Sequence, residues 1–224
     1  MALHFTRGEL ETRIAAARAA LRRDGLDALI LTAQESLYYL TGFDTSGFVF
    51  FQSAVLTKDE GPITLLTRRP DLEQARRTSI IEDVRIWYDK EGADPSADLA
   101  AILAEKVLKG ARVGIEMRSF GLTADRYELI RRRLDGWCLL EDGSGVVRTL
   151  RLVKSPAEIE YLRQASRAVE AGTGITVQIL SGHEEAELTA RGILAFEDDL
   201  QPEFVTTDIG GGSTEITWCR GGRP

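Results

Sequence analysis

A helix start well past the middle of this 224-residue chain divides the sequence into two parts of different character. Ser155 can cap the helix, and Pro156 fits its first position, where a missing N–H costs nothing. Glu158 follows three residues after the cap and can reach back to the Ser155 N–H. We therefore expect a domain boundary here, with a first domain at residues 1–152 and the beginning of a second at 153–224.

The first part alternates short apolar runs with amphipathic segments, which predicts a mixed α/β sheet. One hairpin, turning at residues 59–62, interrupts this alternation. A capping box at Thr6 begins a helix that ends near Gly25. The other predicted helices lie at 36–40, 70–77, 95–106 and 123–134, and the predicted strands at 26–32, 48–57, 63–67, 84–88, 112–115 and 137–140.

The second part contains two long helical patterns, at 156 to about 180 and at 184–196, and a strand around 215–219. Gly172 and Gly174 weaken the first of these helices without having to break it. Two helices and a fragment of sheet would leave a strand edge and an apolar face uncovered, so we expect self-association.

Composition excludes several classes of partner. The net charge of −7 argues against non-specific binding to nucleic acid or to an anionic membrane. Cys138 and Cys219 are too few for a disulfide framework, which favours a reduced, cytoplasmic protein. Arg126 and the run at 131–133 form a basic helix end, which the helix macrodipole favours; a phosphate or nucleic-acid site is the alternative interpretation.

Two motifs in the right order resemble the creatinase/prolidase family. Residues 39–43, Y-L-T-G-F, resemble the Y-L-x-G-[FWY] segment of its N-terminal domains, and residues 154–159 resemble the K-S-P-x-E-[IL] start of its catalytic domain. The resemblance implies a ribonuclease-H-like N-terminal domain with a mixed sheet. It also implies that residues 153–224 are the opening helices and first strand of a truncated α+β pita-bread domain.

The same resemblance implies a function. Members such as prolidase, aminopeptidase P, creatinase and ectoine hydrolase cleave a C–N bond in a small peptide or an amino-acid-like substrate. This chain would be the N-terminal part of such a hydrolase, inactive alone and belonging to a cytoplasmic homodimer. A non-catalytic binding or assembly module with the pita-bread fold is the alternative.

The family's metal ligands are not found in this sequence. Most members hold two divalent metals (Mn, Co or Zn) through two Asp, one His and two Glu in the catalytic half, whereas a creatinase-like parent would be metal-free. The histidines of this chain are His4 and His183, and neither stands in such a set. We therefore assign no catalytic and no metal-binding residue within it.

Candidate substrate contacts follow the Y-L-T-G-F motif. The resemblance places an aromatic contact at Phe48, and Asp44 with the downstream Gln52 resembles the loop of ectoine hydrolases. Phe50 stands where creatinase-like members have a basic residue, so a carboxylate clamp is lost. The alternative is structural: Phe48 and Phe50 would share the buried face of a strand.

Trp218 is the third candidate contact. It falls where the family's S-G-x-N-x-x-x-x-H segment has a histidine that assists catalysis. An indole cannot transfer protons at neutral pH, which weakens a proline-peptidase assignment. The preceding run at 210–212, Gly-Gly-Gly, suggests a phosphate-cradling loop, but no Lys-Ser/Thr pair follows it.

Overall fold

Residues 3–196, 202–209 and 214–220 are described by a computed structural model. The chain divides between Ala157 and Glu158 into two units, and each is described by itself. Among the described residues, no helix has both the length and the apolar character needed to cross a lipid bilayer.

The first unit is built on a six-stranded sheet with strand order β4-β3-β2-β1-β5-β6. Its strands are β1 (Ala28–Leu31), β2 (Ser53–Thr57), β3 (Thr64–Arg68), β4 (Asp83–Trp87), β5 (Arg112–Ile115) and β6 (Leu139–Asp142). Strand β2 pairs antiparallel with both β1 and β3, and the other three pairings are parallel. The expectation of a mixed sheet with one hairpin is confirmed.

Helices cover both faces of this sheet. They are α1 (Arg7–Asp24), α2 (Gln34–Thr41), α3 (Leu72–Thr78), α4 (Pro95–Glu105), α5 (Ala124–Leu134) and α6 (Gly145–Leu150). The central strand β1 sends Leu29 and Leu31 into the core beneath α1 and α6, and Ala28 and Ile30 into the core beneath α4 and α5. Both faces of β1 are buried, which explains why its sequence is a continuous apolar run.

The predicted strand at 48–57 is wrong in its first half. Pairing begins only at Ser53, and a 3₁₀ turn at Gly47–Val49 comes before it. The N–H of Phe50 closes that turn on the carbonyl of Gly47 at 2.9 Å. The carbonyl groups of Phe48, Val49 and Phe51 accept hydrogen bonds from side chains instead of from a neighbouring strand.

The second unit contains four elements in its described residues: α7 (Pro156–Thr173), α8 (Gly182–Phe196), β7 (Glu203–Ile209) and β8 (Thr214–Arg220). The strands form an antiparallel pair. The sequence predicts β8 but not β7. The glycine run at 210–212, for which a phosphate loop was considered, lies outside the described residues.

Helix α7 begins at Pro156 as predicted but ends earlier than expected. Its last residue is Thr173, because Gly174 adopts a left-handed conformation with φ of 71°. The N–H of Gly174 donates to the carbonyl of Glu170 at 2.8 Å, which completes this helix end. The expectation that the glycines need not break the helix before about residue 180 is therefore wrong.

The β7–β8 pair has one covered face and one open face. Thr206 and Cys219 are buried on the side that packs against α8, where Ala190 is also buried. Val205 and Trp218 are opposite each other in the pairing, and both are exposed. The open face of this pair therefore carries an apolar patch beside the ion pair between Glu203 and Arg220.

Candidate functional site

The 43–52 loop of the first unit carries two of the three candidate substrate contacts, Asp44 and Phe48. It connects α2 to β2 and contains the 3₁₀ turn at Gly47–Val49. The loop backbone is held by side chains from elements that are distant in sequence. Its conformation therefore depends on tertiary contacts, which local sequence patterns do not reveal.

Three carbonyl groups of the loop accept hydrogen bonds from two side chains. Arg126 of α5 donates from Nη1 to the carbonyl of Phe48 at 3.2 Å and from Nη2 to that of Val49 at 2.7 Å. Trp87, at the end of β4, donates its indole N–H to the carbonyl of Phe51 at 2.9 Å. Because these carbonyls are occupied, the segment does not take part in a strand ladder.

The inner side of the loop is polar and buried. Gln52 donates from Nε2 to Oγ1 of Thr67 at 2.8 Å, and Oγ1 of Thr67 lies 3.3 Å from Oδ2 of Asp71. Thr45 is also buried, and its Oγ1 accepts the N–H of Gly47 at 2.8 Å. Gln52, which resembles the downstream Gln of ectoine hydrolases, is therefore directed into the domain and anchors the loop.

The outer side of the loop presents Asp44 and the aromatic residues. Asp44 is exposed, and its backbone is fixed by an N–H bond to Oγ1 of Thr78 at 3.3 Å. Phe48 is half-buried, and Phe50 is 37% exposed, with the Arg68 guanidinium 3.3 Å from its ring centroid. The interpretation of Phe48 and Phe50 as the buried face of a strand is wrong, because neither lies in a strand.

Trp218 belongs to the second unit. It lies in β8 and is 64% exposed on the open face of the β7–β8 pair. The structure thus brings Asp44 and Phe48 together in one loop and places Trp218 in a separate unit.

A buried carboxyl group lies at the start of α2, the helix that leads into the 43–52 loop. Glu116 directly follows β5, is 2% exposed and accepts the N–H groups of Thr32 and Ala33, each at 2.9 Å. It also accepts the hydroxyl of Ser36 at 2.5 Å. These bonds hold the two residues that precede α2 and the Ser36 side chain in its first turn, and the cap residue Ala33 makes no side-chain cap bond. Burial raises the pKa of Glu116 to about 7, against the lowering effect of these bonds.

The sequence alone does not indicate that Arg126, Trp87 and Glu116 contribute to the 43–52 loop and the start of α2. One signal could have found Arg126, because it lies in the first turn of a predicted helix, where the macrodipole disfavours a cation. Glu116 could have been noted as a charged residue directly after a buried apolar strand. Nothing in the sequence pairs Trp87 with Phe51.

The residues that the structure describes contain no group of three or more His, Cys, Asp or Glu placed to hold a metal ion. They therefore do not fit the two-Asp, one-His, two-Glu set that the family resemblance implies. We derive no catalytic step through a metal from these residues.

Comparison with known proteins defines the family. Residues 13–153 match the model of the creatinase/prolidase N-terminal domain, so the chain belongs to the creatinase/prolidase family. Ectoine hydrolase from Halomonas elongata is 30% identical over 176 residues, which cover 75% of this chain and 44% of that protein. This chain spans less than half the length of the curated relatives it matches.

Solved structures confirm the fold. An Xaa-Pro aminopeptidase from Streptococcus pyogenes is 22% identical with a TM-score of 0.51, covering 65% of this chain and 100% of that one. A prolidase from Thermococcus sibiricus is 21% identical with a TM-score of 0.62, covering 88% of this chain and 54% of that one. The chain is thus related in sequence and fold to peptidase-like hydrolases.

A different family matches the second unit. Residues 160–224 match the model of the Ppx/GppA phosphatase family. The two family models do not overlap, and the boundary between the two units lies in the interval that separates them.

Proposed function

We propose that the first unit is the N-terminal domain of a hydrolase that cleaves a C–N bond in a small peptide or an amino-acid-like substrate. The prolidase, creatinase and ectoine-hydrolase types are the candidate reactions. The observation that carries this proposal is the family match over residues 13–153, together with the similarity to ectoine hydrolase.

The contribution of this domain would be to shape a substrate pocket. In this proposal Asp44 supplies an exposed carboxylate, and Phe48 supplies an aromatic surface beside it. A carboxylate suits a cationic group on the substrate, and an aromatic ring suits its apolar or cationic part. Trp218 is the corresponding candidate in the second unit.

The proposal also covers assembly and location. The whole protein would be a homodimer in the cytoplasm, where its two free cysteines stay reduced. This chain alone would not turn over substrate, because the family's metal ligands are not among its residues.

The proposal that this chain alone does not turn over substrate can be tested by an assay with Mn²⁺, Co²⁺ and Zn²⁺ against X-Pro dipeptides, creatine and ectoine. We expect no hydrolysis, and turnover of any of these compounds would overturn that proposal.

Titration with the same compounds, followed by NMR, tests whether Asp44 and Phe48 contact substrate. We expect shifts at the amides of Asp44 and Phe48 that are reduced in Asp44→Asn and unchanged in the exposed control Asp89→Asn.

A second candidate function concerns residues 160–224 and is favoured by their match to the Ppx/GppA phosphatase family. Here the second unit would bind a phosphate group, and the sequence Gly-Gly-Gly at 210–212 is the candidate segment, since glycine-rich loops commonly hold phosphate through backbone N–H groups. This is an alternative to the pita-bread assignment of the same residues.

Inorganic phosphate is the probe for this second function. We expect millimolar phosphate to shift the backbone amides at the facing ends of β7 and β8 and to leave those of β1 unchanged. Gly211→Val should remove that response, whereas Gly192→Val in α8 serves as a matched control. Equal shifts in both variants would contradict phosphate binding at the glycine run.

A further inference from the structure

Arg126 differs from the other arginines of α5 in its position and its partners. Arg131, Arg132 and Arg133 lie in the last turn of the helix, where the macrodipole favours cations. Arg126 is the third residue of the helix, near the positive end of the dipole. A basic helix end therefore does not explain it.

The guanidinium of Arg126 is occupied by backbone carbonyl groups. Besides the carbonyls of Phe48 and Val49, its Nη1 donates to the carbonyl of Gly121 at 2.9 Å. Burial lowers the pKa of Arg126, and the nearby Asp125 offsets this only in part. No carboxylate lies in ion-pair contact with Arg126 within the described residues, so its donors serve the backbone.

The hydrogen bond from Arg126 to the carbonyl of Gly121 connects the loop to the sheet. Gly121 packs so closely on the end of β1 that an added Cβ atom would collide with the carbonyl oxygen of Thr32. Thr32 is itself held by Glu116, through its N–H at 2.9 Å and its hydroxyl at 2.8 Å. Arg126 therefore joins the 3₁₀ turn to a fixed point at the end of the central strand.

We propose that Arg126 is the positioning residue of the 43–52 loop: its guanidinium fork fixes the turn at Gly47–Val49 and thereby sets the direction of the Phe48 side chain. The chemistry requires a planar fork with several donors, which lysine does not provide. The inference rests on the proposed function, in which this loop contacts substrate.

The test uses the full chain and the variants Arg126→Met, Arg126→Lys and Arg132→Met. The Phe50 amide reports on the turn, because it donates to the carbonyl of Gly47. In Arg126→Met we expect its hydrogen exchange to rise at least about tenfold while the amides of β1 keep their rates. Arg126→Lys should give an intermediate rate, and Arg132→Met, a change of an exposed arginine on the same helix, should give the wild-type rate.

Two outcomes would overturn the proposal: an unchanged Phe50 rate in Arg126→Met, or an equal acceleration at Phe50 and in β1. If Arg126→Met does not fold, the carbonyl ¹³C shifts of Phe48 and Val49 in Arg126→Lys decide. Movement of both shifts supports the hydrogen bonds from Arg126 as the groups that fix the turn, and wild-type shifts overturn that role.

A functional measurement separates positioning from a purely structural role. For the compound that shifts the amides of Asp44 and Phe48, the apparent Kd should rise at least about tenfold in Arg126→Met. Arg126→Lys should give an intermediate Kd, and the β1 amides should be unchanged in both variants. An unchanged Kd would overturn the positioning role. If no compound shifts these amides even in the wild-type chain, the proposed substrate role of the loop fails. The hydrogen-exchange experiment then still decides whether Arg126 fixes the turn.

Discussion

Two helices of equal length behave differently in the two units of this protein. Helices α1 and α7 each contain 18 residues. Helix α1 buries five of its residues, including Leu10 and Leu21, whereas none of the residues of α7 is buried. An amphipathic pattern therefore predicts that a helix forms, but it does not predict what will cover its apolar face.

Truncation of a leucine in each helix tests this comparison with the largest expected effect. Leu21 is 0% exposed and Leu162 is 58% exposed. Leu21→Ala should lower the free energy of unfolding of the first unit by about 2–5 kcal/mol, because it removes buried apolar volume and leaves a cavity. Leu162→Ala should change the free energy of unfolding of the second unit by less than about 0.5 kcal/mol. Urea unfolding, followed by NMR signals from each unit, measures both values, and similar losses would break the comparison.

The pH dependence of stability should belong mainly to the first unit, through Glu116. Its pKa is raised from 4.5 to about 7, so the protonated form is favoured in the folded state. The resulting stabilisation is complete below the ordinary pKa and is lost as the pH rises towards 7. The loss amounts to about 3 kcal/mol, at roughly 1.4 kcal/mol for each pKa unit.

Glu116→Gln should remove this dependence, so that its stability relative to the wild type increases from pH 4.5 to 7. Urea unfolding at a series of pH values measures it, with the exposed Glu60→Gln as the control. A constant difference between the wild type and Glu116→Gln over this range would contradict the assignment.

The ends of two helices provide the smallest of these effects. Val107, the second residue after α4, adopts φ of 57°, whereas Gly174, which directly follows α7, has φ of 71°. A β-branched residue is strained in this left-handed region, and glycine is not. Val107→Gly should therefore stabilise the first unit by roughly 1 kcal/mol.

The reciprocal change, Gly174→Val, should fray the end of α7. Amide exchange at Gly174 and its neighbours measures this effect, while thermal unfolding measures the effect of Val107→Gly. A lower melting temperature for Val107→Gly would show that its side chain contributes more than its backbone strain costs.

Much of the first unit could be predicted from the sequence because its signals are local. The apolar run of β1 and the cap of α5 at Thr123 each indicate an element without reference to distant residues. Strand β5 was predicted at its observed bounds, Arg112–Ile115, for the same reason.

The candidate site could be predicted only in part, because its geometry depends on distant residues. The Y-L-T-G-F motif located the loop, but residues 48–52 are rich in apolar and aromatic side chains and so suggested a strand. Arg126 and Trp87 bind the carbonyls that a strand would have used, and they lie more than 30 positions away in sequence. No local pattern contains that information.

The hydrogen bonds that tie the residues before α2 to Glu116 have a consequence for the order of folding. The helix begins at Gln34, and the carboxyl group that accepts the N–H groups of the two preceding residues, Thr32 and Ala33, lies 83 positions after Ala33 in the chain. Strand β5 must therefore pair with β1 before these two N–H groups receive their hydrogen-bond acceptor. Closing so long a loop is slow compared with forming a local helix. During refolding, the amides of Thr32 and Ala33 should gain protection together with the central strands and not before them.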